Sequence, residues 1–248
     1  MSLLVYVSDV APYATVGGKV PAGVHRSLAT AGRALEEIAA LHGLGFYHAR
    51  RVQDLDEEVL GEARALALFT IGETAWSAGQ RRLIEARATH GQLGLLGLHS
   101  ATDSAYEWPA FGELLGARFA GHPVTAELPV SVVDKAHPAT AHLPSPWLFE
   151  EELYLFRDVA PEARTLLGVW LEDLPDPLRH AVAEHMAGPG RPGVPELLPL
   201  AWCLKRQGLR SFYTVLGHFL SAYEDTRYML HLSGAVEWLL AADGAHSG

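Results

Sequence analysis

The sequence predicts an α/β fold built on a mostly parallel sheet, with helices on both faces and extra strands in the second half. Three observations predict it. Short, wholly apolar runs of strand length recur through the first hundred residues. Segments with helical apolar spacing and recognisable caps separate them. Strand and helix signals alternate, which implies right-handed crossovers between parallel neighbours.

Leu3 to Val7 is apolar throughout and reads as a first strand buried on both faces. Val24 to His42 has apolar residues at helical spacing: Val24, Leu28, Leu35 and Ile38. Leu44 to His48 reads as a second strand, and Asp54-Leu55-Asp56-Glu57 as a capped helix start. Ala65 to Thr70 is a third strand. Ser77 and Gln80 form a capping-box pattern ahead of a helix that turns Leu83 and Ile84 inward. Leu93 to Leu98 is a fourth strand. A helix follows from Trp108-Pro109, with proline in a first turn that needs no N–H from it.

In the second half, Val124 to Val133, Leu153 to Phe156, Thr165 to Leu171, Leu200 to Leu204 and Ser211 to Leu216 read as strands. They extend the same sheet or form an antiparallel annex. Asp173 to Pro195, rich in Pro and Gly, reads as an insertion around a short helix, Leu178 to Met186. Asp225 to Ala242 closes the chain as a helix with Met229, Leu232, Val236 and Leu239 on one face. No internal repeat or linker divides the chain, so residues 1–248 are expected to form one domain.

The 248 residues are 49% hydrophobic, enough for a sizeable core. The formal net charge is -10, which repels phosphate backbones and anionic lipid, so no nucleic-acid or membrane partner is expected. A homo-oligomer stays open. The single cysteine, Cys203, excludes an intrachain disulfide and a paired-cysteine zinc motif. It lies inside a strand and reads as a small buried hydrophobe. No leader or spanning segment is recognisable, so a cytoplasmic protein is expected. The glycines near Gly17 match neither a dinucleotide fingerprint nor a Walker loop, so no nucleotide cofactor is expected.

In open α/β sheets ligands sit outside the carboxyl ends of the strands. Asp9, Thr70 to Glu73, His99-Ser100 and Gly217-His218 all fall there. His99 has two readings: a cap for backbone groups, or a site residue. Thr102, Asp103, Tyr106, Glu107 and Trp108 follow it closely, a density of polar groups and rings that suits a sugar. Asp103 is equally a helix N-terminal carboxylate or a general base. His218 reads as a loop residue or a site residue. His122 and His137 each precede proline, which also suits plain turns. The apolar neighbours of Glu150-Glu151-Glu152 argue that at least one of these carboxylates points inward.

Several segments together carry a resemblance. GLHSATDSAYEWPAFGELLGARFAGHP, DKAHPAT (Asp134 to Thr140), EELYLF (Glu151 to Phe156) and PLAWCLKRQGLRSFYTVLGH (Pro199 to His218) resemble the signature of the trehalose-utilisation (ThuA-like) family. So do YMLHLSGAVEWLL and GVHRSL. The resemblance spans most of the chain apart from Asp173 to Val194. It implies a flavodoxin-like, class I glutamine amidotransferase-like fold. In amidotransferases the nucleophile elbow reads glycine, any residue, cysteine. Here it reads Gly97-Leu98-His99, so imidazole replaces the thiol. The later histidine matches His218, but its acidic partner is replaced by Leu220. Glutaminase chemistry through a cysteine nucleophile is thereby excluded. Such families are associated with breakdown of trehalose and related disaccharides, alongside dehydrogenases that make 3-keto sugars. QGLR (Gln207 to Arg210) and Phe219-Leu220 depart from the family pattern and bear on substrate identity more than on fold.

The expected function is an enzyme acting on a disaccharide or keto-sugar by acid–base chemistry. His99 and His218 would face each other, Asp103 and Glu152 would move protons, and His25, Tyr106, Trp108 and His122 would line the sugar pocket. The alternative is a non-catalytic sugar-binding or regulatory protein on the same scaffold. No cofactor is assigned. A divalent metal such as zinc, held by His99, His218 and one acid, ranks below metal-free chemistry because the sequence shows no tight ligand spacing.

Overall fold

The structure, a computed structural model, describes residues 2–11, 26–187 and 193–241. Along the chain come β1 (Leu3–Val7), α1 (Leu28–Leu41), β2 (Gly45–Ala49), α2 (Glu57–Glu62), β3 (Ala63–Leu68) and α3 (Ala78–Thr89). Then follow β4 (Gly94–Leu98), α4 (Pro109–Leu115), β5 (Arg118–Gly121), β6 (Thr125–Val132), β7 (Trp147–Glu152) and β8 (Leu155–Arg157). The last elements are β9 (Arg164–Trp170), α5 (Asp176–Met186), β10 (Leu197–Arg206), β11 (Leu209–Thr214) and α6 (Thr226–Leu240).

The main sheet has the order β2-β1-β3-β4-β11-β10-β9-β6-β7. The first five strands in that order run parallel, in the 2-1-3-4-5 arrangement of flavodoxin-like sheets with β11 in fifth place. The remaining pairings are antiparallel, so the second-half strands both extend the sheet and form the antiparallel annex. β5 and β8 make a separate two-stranded ribbon.

Local chemistry fixes several boundaries. Asp56 caps α2 by accepting from the Val59 N–H, and Ser77 with Gln80 closes the capping box of α3. Pro109 opens α4, and Gly116 ends it at φ +89°, where a side chain would be strained. On β4, a Cβ at Gly94 would meet Leu239 of α6, whereas one at Gly97 would meet Leu115 of α4. Residues three apart on a strand face opposite sides, so the helices cover both faces.

Some strands differ from expectation. The third strand begins at Ala63, and the helix near residue 24 is described only from Leu28; Val24 and His25 lie outside the described residues. The strand expected at Leu153 to Phe156 is β8, which starts two residues later, and a strand not expected from sequence, β7, precedes it; Leu153-Tyr154 joins the two where the chain passes from one sheet to the other. The three consecutive glutamates at the end of β7 obscure its apolar alternation. β5 is too short to show a period in sequence.

Candidate functional site

β4 ends on Leu98, and His99 takes a positive φ of +44° as it opens a 3-10 turn, His99–Asp103. Such a backbone at a non-glycine residue is strained and must be held by its surroundings. Gly97 makes room: a Cβ there would sit 2.8 Å from the Tyr213 ring. Tyr213 in turn donates its hydroxyl to the His99 carbonyl, pinning the turn. The His99 ring is fully buried, and its Nδ1 lies 2.7 Å from the Val215 carbonyl. A carbonyl only accepts, so Nδ1 carries a proton, and Nε2 is the nitrogen turned towards the rest of the site.

Among the described residues, three groups converge on that Nε2. His218 Nδ1 and the Tyr154 hydroxyl are each 3.1 Å away, and Glu152 Oε2 is 3.3 Å away. His218 Nδ1 and Glu152 Oε2 are themselves 3.4 Å apart. His122 Nδ1 lies 3.9 Å from the other Glu152 oxygen, and its ring stacks on Tyr154. His122 and His218 face solvent in part, so the cluster opens on their side.

Burial and charge set the protonation of these groups. Burial would raise the Glu152 pKa, but its hydrogen bond to His99 and the nearby His99, His122 and His218 rings outweigh this and hold it at about 2. Burial, and then the neighbouring His99, lower the pKa of His218. Burial dominates at Glu151, raising it to about 7 against the opposing pull of His99 and three backbone N–H groups. The Tyr154 hydroxyl is raised by burial and neighbouring acidic groups, so it stays protonated.

A long hairpin delivers the carboxylates. β6 joins the sheet edge through Ser131 and Val132, opposite Gly168 and Leu167 of β9. The β6–β7 ladder then runs to the rung pairing Thr125 with Glu152. Six residues of strand carry that rung roughly 20 Å from the attachment, over the ends of the central strands. In β7, Trp147, Phe149 and Glu151 are buried while Leu148 and Glu150 are exposed. Glu151 accepts from Gly217 N–H at 2.7 Å, His218 N–H at 3.2 Å and Glu152 N–H at 2.9 Å.

The loop carrying His218 is fixed at every step. The Leu216 carbonyl accepts from Tyr228, and the Gly217 carbonyl accepts from Ser27 and Tyr223. Gly217 has φ +119°, and a Cβ there would lie 2.5 Å from the Tyr228 hydroxyl and 2.8 Å from that of Tyr223. Only glycine fits both the backbone and the space.

The structure therefore brings together His99, Glu152, His218 and, at the rim, His122. Asp103 ends the same 3-10 turn and accepts from the Tyr106 hydroxyl at 2.5 Å. The Tyr106 ring lies under the Arg118 and Arg157 guanidiniums. Trp108 is a correction. It is 3% exposed, packs on Trp76 and Phe111, and donates its indole N–H to Glu85, so it builds the core under α4 instead of a sugar surface. His25 lies outside the described residues.

Sequence reasoning missed Glu151 and Tyr154. The alternation Trp147, Phe149, Glu151 is the signal that singles out Glu151; nothing local marks Tyr154. DKAHPAT instead packs on α6, where Gly234 leaves space for the backbone of Pro138 and Ala139. His137 there lies against Phe212 and Trp238. Cys203 is buried, with its thiol pushed up to about 11 by burial. Among the described residues, no helix is long and apolar enough to cross a membrane.

A family model described as ThuA, trehalose utilisation, matches residues 14–239. A ThuA-like protein from Bacteroides uniformis is 18% identical, covers 98% of this chain and 92% of its own, and superposes with a TM-score of 0.71. Another from Parabacteroides merdae is 16% identical over 96% and 90%, with a TM-score of 0.67. A glutamine amidotransferase from Thermotoga maritima aligns at 11% identity over 96% and 99%, with a TM-score of 0.49. Comparison with curated proteins gives no match. The first two likenesses show a shared fold, and the parallel part of the sheet has the flavodoxin-like order expected.

Proposed function

The chain belongs to the ThuA family, described by trehalose utilisation, which connects it with sugar metabolism; from that premise we propose that it is an enzyme acting on a disaccharide or keto-sugar by proton transfer at the His99 cluster. One observation carries the reading. A buried imidazole, fixed through its other nitrogen, meets a second imidazole, a phenol and a carboxylate within 3.3 Å of Nε2. A module that only grips a sugar needs hydroxyl and amide contacts, not three proton-carrying groups around one imidazole nitrogen.

The roles follow from the protonation states. Glu152 is ionised throughout the neutral range and serves as a general base, the role expected for it from sequence. His218, with its lowered pKa, is neutral there and accepts or relays a proton. His99, held by the Val215 carbonyl, passes protons through Nε2. Tyr154 supplies a hydroxyl that stays protonated. His122 stands where a sugar would enter, and Asp103 with Tyr106 forms a second polar edge. Abstraction of a proton beside a sugar carbonyl, as in isomerisation or elimination from a keto-sugar, uses this set.

The test is a panel of disaccharides and 3-keto-glycosides offered to the wild-type protein and to His99→Ala, with affinity and turnover both measured. Turnover by the wild type and its loss in His99→Ala are expected. If sugars bind and none is converted, the chain is a binding protein and the enzymatic reading fails.

A further inference from the structure

The atoms that converge at His99 are spaced like the ligands of a metal ion, and we propose that His99, His218 and Glu152 form a site for a first-row divalent cation of the zinc class. The inference rests on this cluster being the reacting centre and adds the ion that the centre holds. His99 Nε2, His218 Nδ1 and Glu152 Oε2 form a triangle with sides of 3.1, 3.3 and 3.4 Å. Nitrogen and oxygen ligands bonded to zinc at about 2.0–2.2 Å stand about 3.3–3.5 Å apart in a tetrahedral shell. A point about 2.1 Å from all three atoms exists about 0.9 Å out of their plane, so an ordinary zinc bond length fits their separations.

The surroundings match the chemistry of such a site. His99 donates Nδ1–H to a backbone carbonyl, the outer contact that fixes a ligating histidine and aims its other nitrogen. Two histidines and one carboxylate leave coordination positions open, and here the cluster opens beside His122 and the partly exposed His218.

Glu151 also offers an oxygen within 4.8 Å of His99 and His218. Its oxygens, however, accept three backbone N–H groups, so it orients the His218 loop while Glu152 faces the ion. With the ion bound, His99 Nε2 and His218 Nδ1 hold metal and no longer relay protons, which leaves that task to the Tyr154 hydroxyl and the second Glu152 oxygen beside them. The fitting substrate is then a sugar with a carbonyl beside a hydroxyl, two oxygens that chelate one cation and become polarised by it. This narrows the proposed substrate class to keto-sugars.

The test uses the full chain, stripped with a chelator and titrated with Zn²⁺ by calorimetry and with Co²⁺ by visible absorption. One ion per chain, a raised unfolding temperature and the intense visible bands of low-coordinate cobalt are expected. His99→Ala, His218→Ala and Glu152→Gln should each weaken Zn²⁺ binding about 100-fold or more, while Glu151→Gln, an outer-shell change, costs about 10- to 100-fold. The exposed His180→Ala should bind as the wild type does. Glu152→Gln preserves shape, so it decides the matter if a histidine variant fails to fold by circular dichroism. Absence of a stoichiometric ion, or an ion retained by the ligand variants, overturns the proposal. Ion binding without turnover of any keto-sugar leaves the metal site standing and refutes the enzymatic reading. Turnover by protein that binds no ion does the reverse.

Discussion

Replacing Gly217 by alanine should unfold the His218 loop's support, and its cost can be worked from the contacts. At φ +119° an alanine sits in a region that L residues rarely adopt, at a cost of about 1–3 kcal/mol. Its Cβ, 2.5 Å from the Tyr228 hydroxyl and 2.8 Å from that of Tyr223, forces one or both away. Tyr228 then loses its bond to the Leu216 carbonyl, and a buried carbonyl left unpaired costs about 1–3 kcal/mol more. The expected total is about 2–6 kcal/mol, read by urea denaturation. A double-mutant cycle isolates the clash. Tyr228→Phe removes the nearest hydroxyl, so Gly217→Ala/Tyr228→Phe should be less destabilised than the sum of the single changes. A Gly217→Ala cost below about 0.5 kcal/mol, or strict additivity in the cycle, would refute the claim that steric and backbone constraints at Gly217 position His218.

In metal-free protein, Glu151 makes stability fall with pH. Its folded pKa of about 7 lies above the ordinary 4.5, so the folded state holds the proton more tightly. Its contribution is complete below pH 4.5 and is lost between about pH 4.5 and 7, by about 3 kcal/mol. The difference between wild type and Glu151→Gln, from denaturation curves at pH 5 and pH 8, should shrink towards the higher pH; a constant difference contradicts an ionising buried carboxyl. Trp108→Ala should cost about 3–5 kcal/mol while leaving the affinity of folded protein for bound sugars unchanged, since the ring is core. Tyr154→Phe should lower stability by only about 1 kcal/mol, yet depress turnover through the hydroxyl it removes beside His99.

Much of the scaffold is legible in the sequence because its signals are local. Ser77 and Gln80 form their box from residues three apart, Pro109 sits where a missing N–H costs nothing, and the apolar runs of β1 and β4 are strands buried on both faces. The placement of His99 and His218 at strand carboxyl ends is legible in the sequence, whereas the parallel pairing of β4 with β11 that brings them together is a tertiary fact. The carboxylate side is a tertiary fact too. β7 lies at the far end of the sheet order from β2, and no local rule says that its last residues return to the centre.

The sequence by itself determined the strand and helix alternation, the parallel character of the first four strands and the histidines at strand carboxyl ends. Backbone propensity, caps and apolar period are set within a few residues. Only the tertiary structure decided that Glu151 and not its neighbours is sealed inside, that Tyr154 touches His99, and that Trp108 faces the core. Those outcomes depend on the β6–β7 hairpin reaching across the sheet, a contact between residues 99, 151 and 218 that the chain makes only when it is folded.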